Sequence, residues 1–342
     1  MTVFSKIRGF LYRHKNKFIV SGVIITGSIL LSKYIQQRIR EWQEKETREF
    51  LERSRKQNHF ESINRTCNQT ISNLSGALYD VIFKTVNTDA IIDSLKNSPE
   101  NKLELWNDLK VSVFTKSGIF IYSTVMLVVT LRIQMSIIGG NLYKDPNCVS
   151  TQMQEKYLSV CQNFLNTGVP KLLRIMDTEV KKIIETLDLK KQLKLNDLEA
   201  IFWSLQTAIA TNDNNPIDKF KSYILNDDLT ISNDVFGSVL GDTADFLDSD
   251  EVKSLATHCI NRGFILLDDQ VAEFYTQNGT ILKSVDADHF ENPFEIRKPL
   301  AKLLPIINGL LSRQSFPQNL VQQLIANEKL QILSANIYES LL

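Results

Sequence analysis

The pattern of apolar and polar positions opens with an uncharged run, Phe18 to Leu31 (FIVSGVIITGSILL). Lys6, Arg8, Arg13, Lys15 and Lys17 precede it and Lys33 follows it. At about 1.5 Å per residue its 14 residues reach about 21 Å, and the longer stretch Phe18 to Ile35 reaches about 27 Å. The hydrocarbon core of a bilayer is about 30 Å thick, so the run spans it if Lys17 and Lys33 snorkel to the interfaces. Ser32-Lys33-Tyr34 offers no small-x-small cleavage site. The pattern therefore predicts a basic segment over 1–17 and an uncleaved transmembrane anchor over 18–35. Basic residues flank the run on both sides, so charge asymmetry does not choose its orientation.

Residues 36–57 (QQRIREWQEKETREFLERSRKQ) are strong helix formers with few apolar positions. Glu-before-cation pairs at Glu41/Lys45, Glu44/Arg48, Glu49/Arg53 and Glu52/Lys56 predict a solvated helical stalk continuing out of the anchor. From residue 58 to residue 342 the pattern predicts a bundle, with helices over about 59–96, then a very long one to Gly139-Gly140, then 152–190, 193–211, 252–276, 296–313 and 317–340. Ser98 is placed to cap and Pro99 to occupy the first turn of the long helix, while Pro305 is placed to kink its own. Residues 144–146 and 212–216 read as loops, and 226–251 as an acidic loop or short helices. Inside the long helix, Gly118 to Leu131 (GIFIYSTVMLVVTL) is uncharged between Lys116 and Arg132. A run that short predicts a buried core helix; a second membrane span is the other reading, and would make the chain a channel or insertase component.

Composition agrees with helices. Glycine (13) and proline (8) are scarce in 342 residues, which leaves too few tight turns for sandwiches, barrels or doubly wound sheets. The net charge of zero hides an asymmetry. Residues 1–57 carry 13 Lys/Arg against 5 Asp/Glu, leaving 26 against 34 in the remainder. A basic membrane-proximal end on a mildly acidic body explains this better than a nucleic-acid arm, which would not contain an uncharged apolar run. The fold class expected is all-α: an elongated bundle of long helices with one N-terminal transmembrane helix.

Chemistry is sparse. Cys67, Cys148, Cys161 and Cys259 form no C-x-x-C pair and read as buried thiols in a reducing compartment. His14, His59, His258 and His289 are scattered, so no metal ligand set is expected, and His258 and Cys259 fall on different helix faces. Glycosylation-like triplets at Asn64, Asn68, Asn73 and Asn278 matter only in a secretory lumen. Gly22 and Gly27 have phosphate-loop spacing, but Ser28-Ile29 replaces the Lys-Ser/Thr pair. No catalytic residues, metal or cofactor are expected, and the chain reads as a non-enzyme that binds other proteins. A lipid-binding helical bundle, its cavity lined by 118–131, is the alternative.

The segment NKLELWNDLK (101–110) carries the most recognition chemistry. On a helix Lys102, Trp106 and Leu109 form one stripe, flanked by Leu105 with Leu109 and by Leu103 with Lys110. A tryptophan near a helix start with polar neighbours is a common binding hot spot, but spacing alone favours a tryptophan that merely packs the core.

These residues, taken with others, make the chain resemble the peroxin-3 family of peroxisomal membrane proteins, which dock the shuttling receptor peroxin-19. The stretches that carry the resemblance are YRHKNKF, SKYIQQRIREWQEKE, RKQNHFESINRTCNQT, NKLELWNDLKVSVFTKS, YSTVMLVVTLRIQMSIIGG, HCINRGF and PLAKLLPIING. They run in the family's order over nearly the whole chain, while 143–155 and 212–250 contain no such stretch. The resemblance implies a single-pass protein of the peroxisomal membrane whose bundle faces the cytosol and takes an amphipathic N-terminal helix of peroxin-19. It implies Trp106 as the central anchor, with Lys102 and Leu109 beside it, Leu95 from the preceding helix and Lys302 as a further groove residue; Leu105, which flanks the stripe by spacing, completes the expected partner-binding set. It also implies contact with peroxisomal membrane lipids through the anchor and with membrane-protein cargo indirectly; no nucleic acid is involved.

Overall fold

The computed structural model describes residues 15–97, 101–146, 150–225, 235–276, 295–313 and 315–342, with side chains from residue 32 onward. Twelve α-helices are described: α1 Lys15–Thr85, α2 Thr88–Asn97, α3 Lys102–Lys144, α4 Thr151–Asn163, α5 Val169–Ile184, α6 Leu195–Ala210, α7 Phe220–Ile224, α8 Val235–Asp248, α9 Asp250–Thr276, α10 Leu300–Ser312, α11 Ser315–Ile325 and α12 Glu328–Ser340. Two two-residue strands, β1 Gln192–Leu193 and β2 Lys298–Pro299, pair antiparallel with Gln192 opposite Pro299. The described fold is thus all-α, as composition requires.

Residues group into two units, Met1–His59 and Phe60–Leu342. In the first, α1 contains the apolar run, whose side chains lie outside the described residues, followed by an exposed charged stretch. The expected ion pairs Glu44–Arg48 at 3.7 Å and Glu49–Arg53 at 3.4 Å form. Glu41 departs from expectation: Arg38 reaches it at 3.9 Å and Gln37 donates to it at 3.1 Å, while Lys45 faces Glu49 at 4.0 Å. Such exposed pairs contribute about 0.3–0.5 kcal/mol each, so the choice among them costs little.

The second unit is organised around α3. Every residue from Val113 to Gly140 is buried, because α3 packs against α2, α4, α5 and α8 through α12. α3 is long and apolar enough to cross a membrane, yet its most apolar stretch is wholly enclosed by protein, which settles 118–131 as a core helix. Lys116 and Arg132, which bracket that run, are themselves buried and fasten neighbouring helices. Arg132 donates to Asn64 Oδ1 and to the Ile325 carbonyl (3.1 Å). Lys110 donates to the carbonyls of Glu185 (3.3 Å) and Leu187 (2.6 Å), capping the turn after α5. Gly139 and Gly140 do not end the helix. A Cβ on Gly139 would stand 3.0 Å from Ile63, and one on Gly140 would stand 2.9 Å from Leu341, so the pair lets α1 and α12 approach closely.

Several expected helices are divided. The chain breaks at Val86-Asn87, where Asn87 Oδ1 accepts from the Ala90 N–H (3.1 Å) and starts α2. The helix expected over 152–190 becomes α4, a π-helical turn at Phe164–Gly168, and α5. Pro170 has no N–H and would clash with the Asn166 carbonyl in a regular α-helix, and the widened turn relieves this. Asn327 accepts from Lys329 N (3.0 Å) and Leu330 N (3.2 Å), dividing the last helix into α11 and α12. Pro305 lies inside α10 without interrupting it. Residues 235–248, expected as acidic loop or short helices, form α8, and 226–234 lie outside the described residues.

Cys67, Cys161 and Cys259 are free and buried, and burial pushes their thiols up to about 11, 12 and 11, so they are packing groups. Cys148, His14, His289, Asn278 and the expected cap at Ser98-Pro99 lie outside the described residues.

Candidate docking groove

α2 and α3 pack side by side, and α10 closes one end of the trough between them. The trough has a volume of about 320 Å³. α2 contributes Ile92, Leu95 and Lys96, α3 contributes Lys102, Trp106 and Leu109, and α10 contributes Pro305 and Asn308. Each set follows a helical repeat (i, i+3, i+4; i, i+4, i+7; i, i+3), so each helix lends one face. Leu109 is 2% exposed and forms the floor, continuous with the core. Trp106 and Leu95 are half-buried walls packed against that core, and Lys96 and Lys102 are exposed at the rim.

Four of the residues expected at the site, Leu95, Lys102, Trp106 and Leu109, are therefore brought together. Leu105 is half-buried but outside the lining. Lys302 is exposed on α10 one turn before Pro305, also outside it. Leu103, expected to flank the stripe, is exposed, whereas Lys110 is buried in its bond to the 185–187 turn. Ile92, Lys96, Pro305 and Asn308 were not anticipated. The amphipathic pattern of α2 points to the first two; no local signal points to the α10 pair.

A buried polar chain lies behind the wall. Thr88 Oγ1 donates to Asn308 Oδ1 (2.8 Å), and Lys116 Nζ donates to Thr88 Oγ1 (3.1 Å) while standing 3.5 Å over the Phe83 ring. Burial lowers the Lys116 ammonium to about 8. The chain ties α2, α3 and α10 together at the point where their side chains frame the trough, and so holds the groove preformed.

Among the described residues the lining contains no carboxylate, thiol or imidazole, and no group of three or more His, Cys, Asp or Glu is placed to hold a metal. An apolar trough with a tryptophan wall and a basic rim suits recognition of an amphipathic segment bearing acidic residues. The 118–131 run, which a lipid cavity would need for its lining, is packed into the bundle centre.

Comparison with known proteins covers nearly the whole chain. A family model described as Peroxin-3 matches residues 9–101, 97–146 and 141–340, and so takes in 143–155 and 212–250 as well. The chain is 34% identical to "Peroxisomal biogenesis factor 3" of Rattus norvegicus over 364 residues, covering 97% of this chain and 96% of that protein. The human protein of the same name is 34% identical over 365 residues, with the same coverage. "Peroxisome biogenesis protein 3-1" of Arabidopsis thaliana is 24% identical over 221 residues, 56% of this chain and 61% of that protein.

Proposed function

The chain belongs to the peroxin-3 family, and from that premise we propose that its Trp106 trough docks peroxin-19 at the peroxisomal membrane. A part in peroxisome biogenesis and a peroxisomal location follow from the family itself, and no catalytic family is indicated. The finer reading is a single-pass protein anchored through 18–35, its bundle in the cytosol, receiving peroxin-19 loaded with membrane-protein cargo.

The observation that carries the docking reading is the convergence of Leu95, Lys102, Trp106 and Leu109, from two helices, on one preformed trough. An amphipathic helix laid in it places apolar side chains at i, i+3, i+4 and i+7 against Trp106, Leu95 and Ile92. Lys102 at the rim steers acidic residues of the incoming helix, raising the association rate more than the affinity, while Lys96 is paired with Asp93 at 3.1 Å. Asn308, fixed by Thr88 and Lys116, gives the end of the trough one polar mark in an apolar wall. Anchoring then converts binding in solution into delivery beside the bilayer.

The test is calorimetric titration of the full-length chain in nanodiscs with a peptide from the N-terminal region of peroxin-19, beside Trp106→Ala. Saturable one-to-one binding that the variant loses while keeping its helical circular dichroism supports the reading. Binding that the variant retains contradicts it.

A further inference from the structure

A second, larger trough lies between α6 and α9, with a volume of about 830 Å³. α6 lines it over positions 196–210 at helical spacing, about 21 Å, and α9 over 257–269, about 18 Å. Both walls therefore run for some three to four helical turns. Trp203 stands on one wall at 68% exposure and Ile265 on the other at 47%, while Phe264 on the floor is buried. Neither large apolar wall residue contributes to the core.

The charge here is opposite to that of the Trp106 trough. Glu199 from α6 and Asp268 and Asp269 from α9 line it, and among the described residues no Lys or Arg does. None of the three carboxylates forms an ion pair with a described residue. Asp268 is only 8% exposed, and its Oδ1 has no hydrogen-bond partner among the described residues. Burial, then the nearby Glu199 and Asp269, pushes its carboxyl up to about 8. An acid left in a trough floor without a donor is costly, and the cost is relieved by a cation brought in from outside.

We infer that the α6–α9 trough docks an amphipathic helix of a partner protein that carries a Lys or Arg within its apolar stripe, the cation meeting Asp268 and the apolar residues meeting Trp203 and Ile265. Charge complementarity and wall length select this occupant. Nucleic acid and an anionic bilayer surface are repelled by the carboxylates, and a trough of this length matches a helix of about four turns. Trp203 is the exposed aromatic from which an interface draws most of its energy. The site is separate from the Trp106 trough, sharing none of its lining residues, so the bundle engages two helical ligands of opposite charge.

The experiment uses the full-length chain in nanodiscs and synthetic helical peptides of about 16 residues. One has leucines at i, i+3, i+4 and i+7 with a single arginine inside the stripe; its control has glutamate in place of the arginine. The arginine peptide is expected to bind at least ten-fold tighter than the glutamate peptide. Trp203→Ala and Asp268→Asn should each weaken it at least ten-fold without loss of helical signal, while Trp106→Ala leaves it unchanged and the peroxin-19 peptide does not compete. Equal binding of the two peptides, no binding of either, insensitivity to Trp203→Ala, or competition by the peroxin-19 peptide overturns the proposal. So does a dimer of the chain that Trp203→Ala dissociates, which would make a second copy the occupant.

Discussion

The trough beside Trp106 and the trough beside Trp203 are each walled by helices that lend one face and offer one tryptophan, yet the first has lysines at its rim and the second has carboxylates in its lining. Their tryptophans also differ: Trp106 is half-buried and packs against the core, whereas Trp203 is mostly exposed. The difference teaches that the bundle supplies shape generically, through two packed helices that leave a furrow, while partner choice rests on a few charges placed along it. It also separates residues that hold a trough in place from residues that read the ligand.

That separation is sharpest at Leu109 and Trp106. Leu109→Ala should remove about 2–5 kcal/mol of stability, because the side chain is floor and core at once; urea unfolding measures it. Trp106→Ala should cost about 2 kcal/mol or more of peroxin-19 peptide binding, roughly thirty-fold or greater, with a smaller change in unfolding midpoint than Leu109→Ala produces. If Trp106→Ala instead destabilised the protein as much as Leu109→Ala, the tryptophan would belong to the core.

Asp268 breaks the comparison along the pH axis. Its folded pKa is raised to about 8, by burial first and then by Glu199 and Asp269, so the folded protein holds a proton that the unfolded chain releases near the ordinary carboxylate value. Stability from this group is full below about pH 3.8 and is lost progressively as pH rises from there through about 8. Asp268→Asn should therefore match the wild type near pH 4 and exceed it by about 1–3 kcal/mol near pH 8, read from thermal unfolding at both pH values. A difference that does not grow with pH would remove Asp268 as an uncompensated buried acid. The smallest effect is expected at the basic rim. Lys102→Glu should slow peroxin-19 peptide association several-fold, an effect of about 1 kcal/mol that fades with added salt, and leave folding unchanged; stopped-flow at two ionic strengths measures it.

The helical class and the Lys102–Trp106–Leu109 stripe were legible because each is periodic, where sequence spacing becomes geometry directly, and the core identity of 118–131 because its uncharged run is short for a membrane span. The breaks at Asn87 and Asn327 were also written locally, as capping asparagines, but a continuing apolar period on both sides hides them. The α10 contribution was not legible. Pro305 and Asn308 reach the trough from about two hundred residues away, and no local pattern reports which helices will meet. Lys116 and Arg132 read as charges bracketing an apolar run, whereas both are buried and bonded to partners remote in sequence. The acidic trough was missed for the same reason: Glu199 and Asp268 lie far apart in the chain, and each alone resembles a solvated helix carboxylate.

The most direct measurement of the docking claim is photo-crosslinking of the full-length chain in nanodiscs by a peroxin-19 N-terminal peptide that carries benzophenone on its apolar face, with attachment sites mapped by mass spectrometry. The account predicts attachment at Ile92, Leu95 and Trp106; attachment at Trp203 and Ile265 instead would contradict it.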